Sequence, residues 1–173
     1  MSDPRAPADA PAVWAYVALG SNVEPEANLA RALGELRARF PGLVASPAFQ
    51  NRAVGFEGAD FINLVVGFPT TLPLAALLAE LHRIEALCGR GRGAPKYEPR
   101  RMDLDVLLYG DLVGQFPGVT LPRPDLVRRA FMLGPLAALA PSLVHPGLGR
   151  SIAELWAGFD QGAHPLRPVT LGA

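Results

Sequence analysis

The fold is decided by the stretch FINLVVGF at residues 61–68, whose apolar and β-branched residues are typical of a strand. Side chains alternate between the two faces of a strand. The even-numbered residues from Ile62 to Phe68 therefore form one continuous apolar face, which is expected to pack on the core. The opposite face begins with Phe61 and Asn63, which place an aromatic ring beside an amide.

The segments on either side of this strand complete the order strand, helix, strand, strand, helix, strand. Before it, the sequence predicts a strand at Trp14–Leu19, a helix from Pro25 to Phe40 and a weaker strand at Leu43–Phe49. After it, an apolar stripe predicts a helix from Leu74 to Cys88, and a further strand follows at Met102–Tyr109. This order predicts a ferredoxin-like α+β fold, a mainly antiparallel sheet with helices packed on it.

One domain accounts for most of the chain. Residues 1–12 are rich in Ala, Pro and Asp and are expected to form a disordered N-terminal arm. Residues 13–157 are expected to form a single domain, with helical packing from Asp125 onward and a short helix near Ser151–Trp156. Residues 158–173 carry no recognisable signal and are interpreted as a C-terminal tail.

Composition narrows the class of protein. Half of the 173 residues are hydrophobic, 18% are charged and the net charge is zero, which argues against broad attraction to nucleic acid or acidic membranes. No apolar run approaches the roughly 18 residues of a membrane helix, and the N-terminus has no secretory core, so we expect a cytoplasmic protein. Cys88 is the only cysteine, which excludes an internal disulfide and a multi-cysteine zinc site.

The strongest chemical signal is the segment RRMDLDVLLY, which ends at Tyr109. On a strand, Asp103 and Asp105 point the same way, whereas Leu104 and every second residue to Leu108 point the other way. Two neighbouring carboxylates repel each other, and a hard divalent cation such as Mg²⁺ relieves the repulsion because it prefers oxygen ligands. The alternative is that both aspartates are solvated on an edge strand.

Cations are concentrated just before these aspartates. Residues 90–101 contain five of them, with Glu98 as the only opposing charge. Arginine side chains match phosphate oxygens in bidentate geometry and keep their charge, so Arg90 and Arg92 on a glycine-containing loop can close over a polyphosphate. A solvated basic loop is the alternative. Neither a Walker nor a Rossmann glycine pattern is present, so a nucleotide must be held in another way.

The pair formed by Phe61 and Asn63 suggests a second kind of ligand. An aromatic ring can stack on a flat heterocycle, and an amide can bind its edge because it both donates and accepts hydrogen bonds. Alternatively, Phe61 covers the core and Asn63 bonds the backbone.

Together these features resemble the 6-hydroxymethyl-7,8-dihydropterin pyrophosphokinase family of folate biosynthesis, over a span from about Tyr16 to Trp156. The order and spacing of the matching segments make the resemblance specific. They are VALGSN at 17–22, DFIN at 60–63, RIE at 83–85, RGR at 90–92, PRRMDLD at 99–105, RAFML at 129–133 and PL at 135–136.

The resemblance implies an enzyme that moves diphosphate from ATP to a pterin alcohol and releases AMP. The expected partners are these small molecules, with no nucleic acid and no membrane, and the chain is expected to be a monomer. It implies that Asp103 and Asp105 hold two magnesium ions and that Arg90 and Arg100 are catalytic. The residues implied to bind ATP are Glu85, Arg92, Arg123 and Arg129. The residues implied to bind the pterin are Asn51, Val54, Phe61, Asn63 and Phe131.

Several positions depart from the family pattern. The segment QNRAV at residues 50–54 stands where the family usually has R-T-x-P, and it places Arg52 near the pterin pocket. Arg123 stands where a histidine is frequent, and Tyr97 where a tryptophan is frequent. Two alternatives accompany the pyrophosphokinase hypothesis: a paralogue with altered pterin specificity or weak activity, which these departures suggest, and a nucleic-acid-binding module, since ferredoxin-like folds commonly bind RNA. The second lacks the aromatic pattern typical of RNA-binding domains.

Overall fold

A computed structural model of the protein describes residues 11–52, 60–88 and 102–171. Most of the predicted N-terminal arm therefore lies outside the described residues, as do Val54, Arg90, Arg92 and Arg100. The elements in chain order are β1 Val13–Ser21, α1 Pro25–Arg39, β2 Val44–Ala45, β3 Ala48–Asn51, β4 Phe61–Thr70, α2 Leu74–Cys88, β5 Asp103–Tyr109, β6 Gly114–Phe116, β7 Val119–Leu121, a 3-10 turn Pro124–Val127, α3 Ala130–Leu139, α4 Ile152–Ala157 and β8 Arg167–Val169.

The main sheet has the strand order β5-β1-β4-β3-β8, with the two-residue β2 also pairing with β4. Every pair of neighbouring strands is antiparallel. Strands β1 and β3 are connected through α1, and β4 lies between them in the sheet. Strand β5 pairs with the other side of β1. This interleaving is that of the ferredoxin-like fold, so the predicted α+β class is confirmed. A separate hairpin, β6-β7, turns at Pro117-Gly118.

Helices cover both faces of the sheet. One core cluster joins the apolar face of β4, from Ile62 to Phe68, to the buried sides of α1 and α2. A second cluster lies on the opposite face, where Ala18 and Val65 pack against α3 and against Ile152 of α4. The faces of β4 are therefore divided as its alternating sequence predicts. The second layer of helices leaves the ends of β1, β4 and β5 uncovered on its own side, which is where the site forms.

Strand β5 departs from simple alternation. Its pairing with β1 shifts between Tyr16 and Val17, so that Leu107 has no partner in the ladder. Such an extra residue turns the following side chains to the other face. Leu108 consequently packs in the second core cluster, and the prediction that it shares a face with Leu104 was wrong.

The weak strand predicted at Leu43–Phe49 is divided into β2 and β3. Ser46 lies between them, where its hydroxyl accepts a hydrogen bond from the Val65 amide at 2.9 Å and donates one to the Pro47 carbonyl at 2.8 Å. Pro47 has no amide hydrogen to add to the ladder. The Ser46 amide also donates to the Val65 carbonyl at 2.8 Å, so backbone and side-chain bonds of Ser46 together hold the interruption against β4.

The C-terminal tail contributes an edge strand, which the sequence did not reveal. Residues of β8 pair with β3, and Arg167 donates a hydrogen bond to Gln50 at 2.7 Å. Just before β8, Leu166 packs where Gly134 of α3 leaves space. The tail is therefore attached to both the sheet and α3. Within the described ranges, no helix is long and apolar enough to cross a membrane.

Replacing Gly134 by alanine is expected to destabilise the protein. An added Cβ would lie 2.6 Å from Leu166 Cδ1 and 3.0 Å from the Trp156 ring, so overpacking should cost ~1–3 kcal/mol of unfolding free energy, against about 1 kcal/mol that alanine adds through its better helix propensity. Urea denaturation measures this change. The matched control is Gly34→Ala in α1, where nothing lies within 4 Å and the better helix propensity of alanine should add about 1 kcal/mol. Equal stabilisation of both variants would show that the packing of Leu166 on α3 is wrong.

Candidate active site

A cavity of about 270 Å³ opens on the α3 side of the sheet, where several chain segments meet. The end of β1, the start of β4 and the start of β5 form its floor, because these strands are neighbours in the antiparallel sheet. The N-terminal turn of α3 and the end of β3 form its walls. The residues that line it are Ala18, Leu19, Gly20, Asn51, Phe61, Asn63, Asp103, Asp105, Asp125, Arg129, Phe131 and Met132.

One end of the cavity carries the two aromatic rings and two amides. Phe61 and Asn63 project from β4 on the face that the sequence separated from the core, and Phe131 comes from α3. The Asn63 amide donates a hydrogen bond to Asn51 Oδ1 across the β3–β4 pair. This bond occupies one donor of Asn63 and leaves its carbonyl oxygen on the cavity side. Four of the five residues predicted to bind a pterin are thus brought together, and Val54 lies outside the described residues.

Gly20 makes room for this arrangement. Gly20 lies opposite Asn63 in the β1–β4 ladder, and a Cβ at Gly20 would lie 2.5 Å from Asn63 Oδ1 and 3.9 Å from Phe61. Only a residue without a side chain allows the amide to occupy its position. The glycine at the end of the first strand therefore shapes the cavity.

The other end of the cavity carries the two aspartates. Asp103 and Asp105 project from the same face of β5, before the shift in register, and both line the cavity. Their Cα atoms are two residues apart along a strand, which is roughly 6–7 Å. The Arg123 guanidinium donates a hydrogen bond to Asp105 Oδ1 at 3.1 Å, with both side chains about 30% exposed. The predicted same-face geometry of the acids is therefore present at the edge of the ring-lined cavity.

The chemistry of the aspartate pair fits magnesium. Within the described ranges, no group of three or more His, Cys, Asp or Glu side chains is arranged to hold a metal ion. Magnesium in phosphate-transferring sites is bound by one or two carboxylates and completes its octahedron with waters and phosphate oxygens. Two partly exposed carboxylates that face an open cavity supply that number of protein ligands.

Glu85 lies behind the aspartates and not in the cavity wall. Its carboxylate accepts a hydrogen bond from the Leu104 amide at 2.7 Å, on the backbone between Asp103 and Asp105. Burial raises the pKa of Glu85, the Leu104 amide opposes that shift, and the negative charges of Asp103 and Asp105 add to it. Strand β5 is at the edge of the sheet, so its outward amides need partners. The contact that the structure assigns to Glu85 is therefore one that positions the strand carrying Asp103 and Asp105.

The predicted arginines are only partly described. Arg129 lines the cavity directly before α3, and Arg123 reaches it through Asp105. Arg90, Arg92 and Arg100 lie outside the described residues, so their assignments stay predictions.

Asp125 is a cavity residue that the sequence did not indicate. It lies in the 3-10 turn before α3, and its carbonyl oxygen accepts the amides of Arg128 and Arg129 at 3.0 and 2.9 Å. No spacing relates Asp125 to the aspartates of β5, because it reaches the cavity through the connection between β7 and α3. The only local signal was Pro124, which fits the first position of a helical turn.

Comparison with known proteins shows the family to which the chain is related. Residues 16–141 match the model of the 7,8-dihydro-6-hydroxymethylpterin-pyrophosphokinase (HPPK) family. A 2-amino-4-hydroxy-6-hydroxymethyldihydropteridine pyrophosphokinase of Pseudomonas aeruginosa is 40% identical over 147 residues, covering 82% of this chain and 89% of the relative. A Synechocystis enzyme of the same name is 38% identical over 145 residues, covering 82% of this chain and 73% of the relative.

The fold is also found in solved structures. A crystal structure of HPPK-DHPS from Plasmodium falciparum superposes with a TM-score of 0.69 at 13% identity, over 90% of this chain. The chain spans 46% of the length of that solved chain. At this identity the likeness concerns the fold alone. The family model covers more than half of the residues and two relatives exceed 30% identity over most of their length, so the chain belongs to the 7,8-dihydro-6-hydroxymethylpterin-pyrophosphokinase family.

Proposed function

We propose that the protein transfers diphosphate from ATP to 6-hydroxymethyl-7,8-dihydropterin in folate biosynthesis, giving AMP and the pterin diphosphate. The observation that carries the proposal is that one cavity joins the ring and amide pair, Phe61 and Asn63, to the acid pair, Asp103 and Asp105. The pterin substrate is a flat heterocycle at one end and accepts a phosphoryl group at the other. It therefore needs the ring and amide pair for the heterocycle and the acid pair, with its metal, for the phosphates. Membership of the pyrophosphokinase family supports the same reaction.

The pterin is proposed to bind between Phe61 and Phe131. Aromatic rings from the β4 floor and from the α3 wall line the same cavity, and a flat ring held between them would bury both of its faces. Asn63 and Asn51 lie at its edge, where their amides match the donors and acceptors of a pterin. Val54 is proposed to add an apolar contact.

Asp103 and Asp105 would hold magnesium ions together with the phosphates of ATP. Bound there, the metal would neutralise charge on the phosphate oxygens and help to orient them. Arg123 already lies against Asp105, and its Nε has no hydrogen-bond partner among the described residues. A guanidinium carries five N–H donors, so Arg123 can contact a phosphate without leaving the carboxylate. Arg129, which is exposed at the cavity rim, and Arg92 are proposed to bind other phosphate oxygens.

Glu85 was assigned to ATP by resemblance, and its hydrogen bond to Leu104 supports a more indirect role. The carboxylate fixes the backbone between the two aspartates, and so it positions the groups that receive the nucleotide. Glu85 is therefore proposed to contribute to ATP binding by positioning Asp103 and Asp105.

The proposed reaction needs no covalent intermediate. The hydroxymethyl oxygen of the pterin attacks the β-phosphorus of ATP in line, the bond from that phosphorus to the oxygen bridging to the α-phosphate breaks, and AMP leaves with that oxygen. The hydroxyl proton passes to solvent. Catalysis then consists of holding the two substrates in line and neutralising charge, for which Arg90 and Arg100 are the proposed groups.

An assay of AMP release with purified protein, ATP, Mg²⁺ and 6-hydroxymethyl-7,8-dihydropterin tests the proposal. AMP should form only when both substrates are present. Asn51 and Arg52 beside the cavity favour a second candidate, a relative with altered pterin specificity. AMP release at least about tenfold faster with another pterin would select that candidate, and no release with any pterin would reject the reaction. The comparisons favour an enzyme over a nucleic-acid-binding module.

Filling the space beside Asn63 is expected to weaken pterin binding. In Gly20→Ala, the new methyl would displace the Asn63 carbonyl, and affinity for the pterin should fall roughly tenfold, the effect of losing one well-made hydrogen bond. Gly20 is not among the residues with a positive φ, so an alanine backbone is accommodated. Calorimetric titration with the pterin measures the change. ATP binding is the internal control, because a general collapse of the cavity would weaken both ligands equally and contradict the local explanation.

The two small-molecule substrates are the only partners proposed. The protein is proposed to be a monomer in the cytoplasm. The apolar surfaces of α1, α2 and α3 are largely used within the two core clusters, which supports a chain that needs no second copy to bury them. Size-exclusion chromatography with light scattering tests the monomer.

A further inference from the structure

A second recess of about 150 Å³ lies beside the substrate cavity. The two spaces share Asn51, Arg129 and Phe131, which form the wall between them. The second recess is otherwise built from different parts of the molecule, the residue after β3, the N-terminus of α3 and the C-terminal tail. Nothing in the proposed reaction uses it.

The recess is strongly basic. Arg52, Arg128 and Arg129 line it, all three exposed, and Arg52 is one of the departures from the family pattern. Among the residues that the structure describes, no carboxylate is within ion-pair distance of any of these arginines. Like charges around one small space repel each other, and an anion relieves that repulsion. Ala130 and Phe131, the first two residues of α3, also line the recess, and the N-terminus of a helix favours negative charge.

The opposite wall of the recess is mainly apolar. Ala163, Pro165 and Leu166 of the tail line it together with Phe131, and His164 lies among them. Leu166 is held against Gly134 of α3, so this wall is fixed by packing. A bare inorganic anion would use only the cationic half of such a site. A molecule with an apolar body and one anionic group would use both.

We infer that this recess is a binding site for an organic carboxylate, with the carboxylate on Arg52 and Arg128 and the apolar body against Pro165 and Leu166. The inference goes beyond the proposed pyrophosphokinase reaction, because the recess can bind a carboxylate when ATP and pterin are both absent. Carboxylate and guanidinium pair in bidentate geometry, which gives the site its chemical preference. Because Asn51 and Phe131 belong to both spaces, an occupant is placed to affect the neighbouring cavity.

Titration with benzoate, followed by ¹H–¹⁵N NMR, tests the site. Benzoate should shift the amides of Ala130, Phe131 and Leu166 in a saturable manner. Arg52→Gln and Arg128→Gln should each weaken binding about tenfold, the usual effect of losing one charge-assisted hydrogen bond. The matched control is Arg31→Gln, an exposed arginine of α1 on the other side of the sheet, which removes the same charge and should leave the affinity unchanged.

Two further ligands separate the possible outcomes. Benzamide has the same shape without the charge and should bind at least about tenfold more weakly, and inorganic phosphate has the charge without the apolar body and should also bind more weakly than benzoate. Equal binding of benzamide would remove the role of the arginines, and equal binding of phosphate would remove the apolar half of the site. Absence of saturable shifts with benzoate would overturn the inference. Since no nucleotide or pterin is present, none of these results depends on the AMP-release assay.

Discussion

Asp105→Ala is expected to abolish nearly all turnover while the protein stays folded. The carboxylate lines the cavity proposed to bind the substrates and is one of two on the same face of β5. Its loss would leave Asp103 alone to hold metal and phosphates against the charge of ATP. The ion pair that it makes with Arg123 is partly exposed, and breaking such a pair changes stability by less than about 1 kcal/mol. Activity and stability should therefore respond very differently.

Three measurements on Asp105→Ala test this separation. AMP release should fall by roughly three orders of magnitude, an effect of the size seen when a single electrostatic group is removed from a preorganised site. The urea midpoint should change little, and calorimetry should show that Mg²⁺ no longer strengthens nucleotide binding. Asp111→Asn, an exposed acid just after the same strand, is the control and should be fully active. Substantial turnover in Asp105→Ala would reject the metal assignment.

Arg90→Ala is expected to reduce turnover far more than it weakens ATP binding. Charge spreads over the transferred group as the bond to phosphorus breaks, so a guanidinium placed there interacts more strongly in the transition state than with bound ATP. Removing one such group lowers kcat by roughly 10²–10³-fold. Arg90 lies outside the described residues, and this expectation rests on the family resemblance and on the charge of the segment.

Rapid-quench measurement of the chemical step, with nucleotide affinity measured separately, distinguishes the two effects. Arg90→Lys is the informative companion, because it keeps the charge but loses the planar, bidentate geometry, and it should restore only part of the rate. A loss confined to ATP affinity, with the chemical step unchanged, would assign Arg90 to nucleotide binding and not to catalysis.

The strands that form the floor of the site could be predicted because their local pattern is strong. Alternation along β4 separated Phe61 and Asn63 from the core, and the structure has them in the cavity. Alternation also put Asp103 and Asp105 on one face of β5. The same reasoning failed for Leu108, because a shift in pairing with β1 adds a residue that no pattern within β5 reveals.

The sequence by itself determined the ferredoxin-like order of elements, the family, and which side chains share a face along β4 and along β5 before its register shift, because these follow from periodicity and from motifs a few residues long. Only the tertiary structure decided that the ring pair and the acid pair share one cavity, that Asp125 joins them, and that the tail adds β8 and the wall of a basic recess. Some of those contacts join residues that are far apart in the chain, such as Arg167 and Gln50, which are separated by 117 residues. Contacts between residues so far apart in the chain are set by sheet order and helix packing, which no short stretch of sequence encodes.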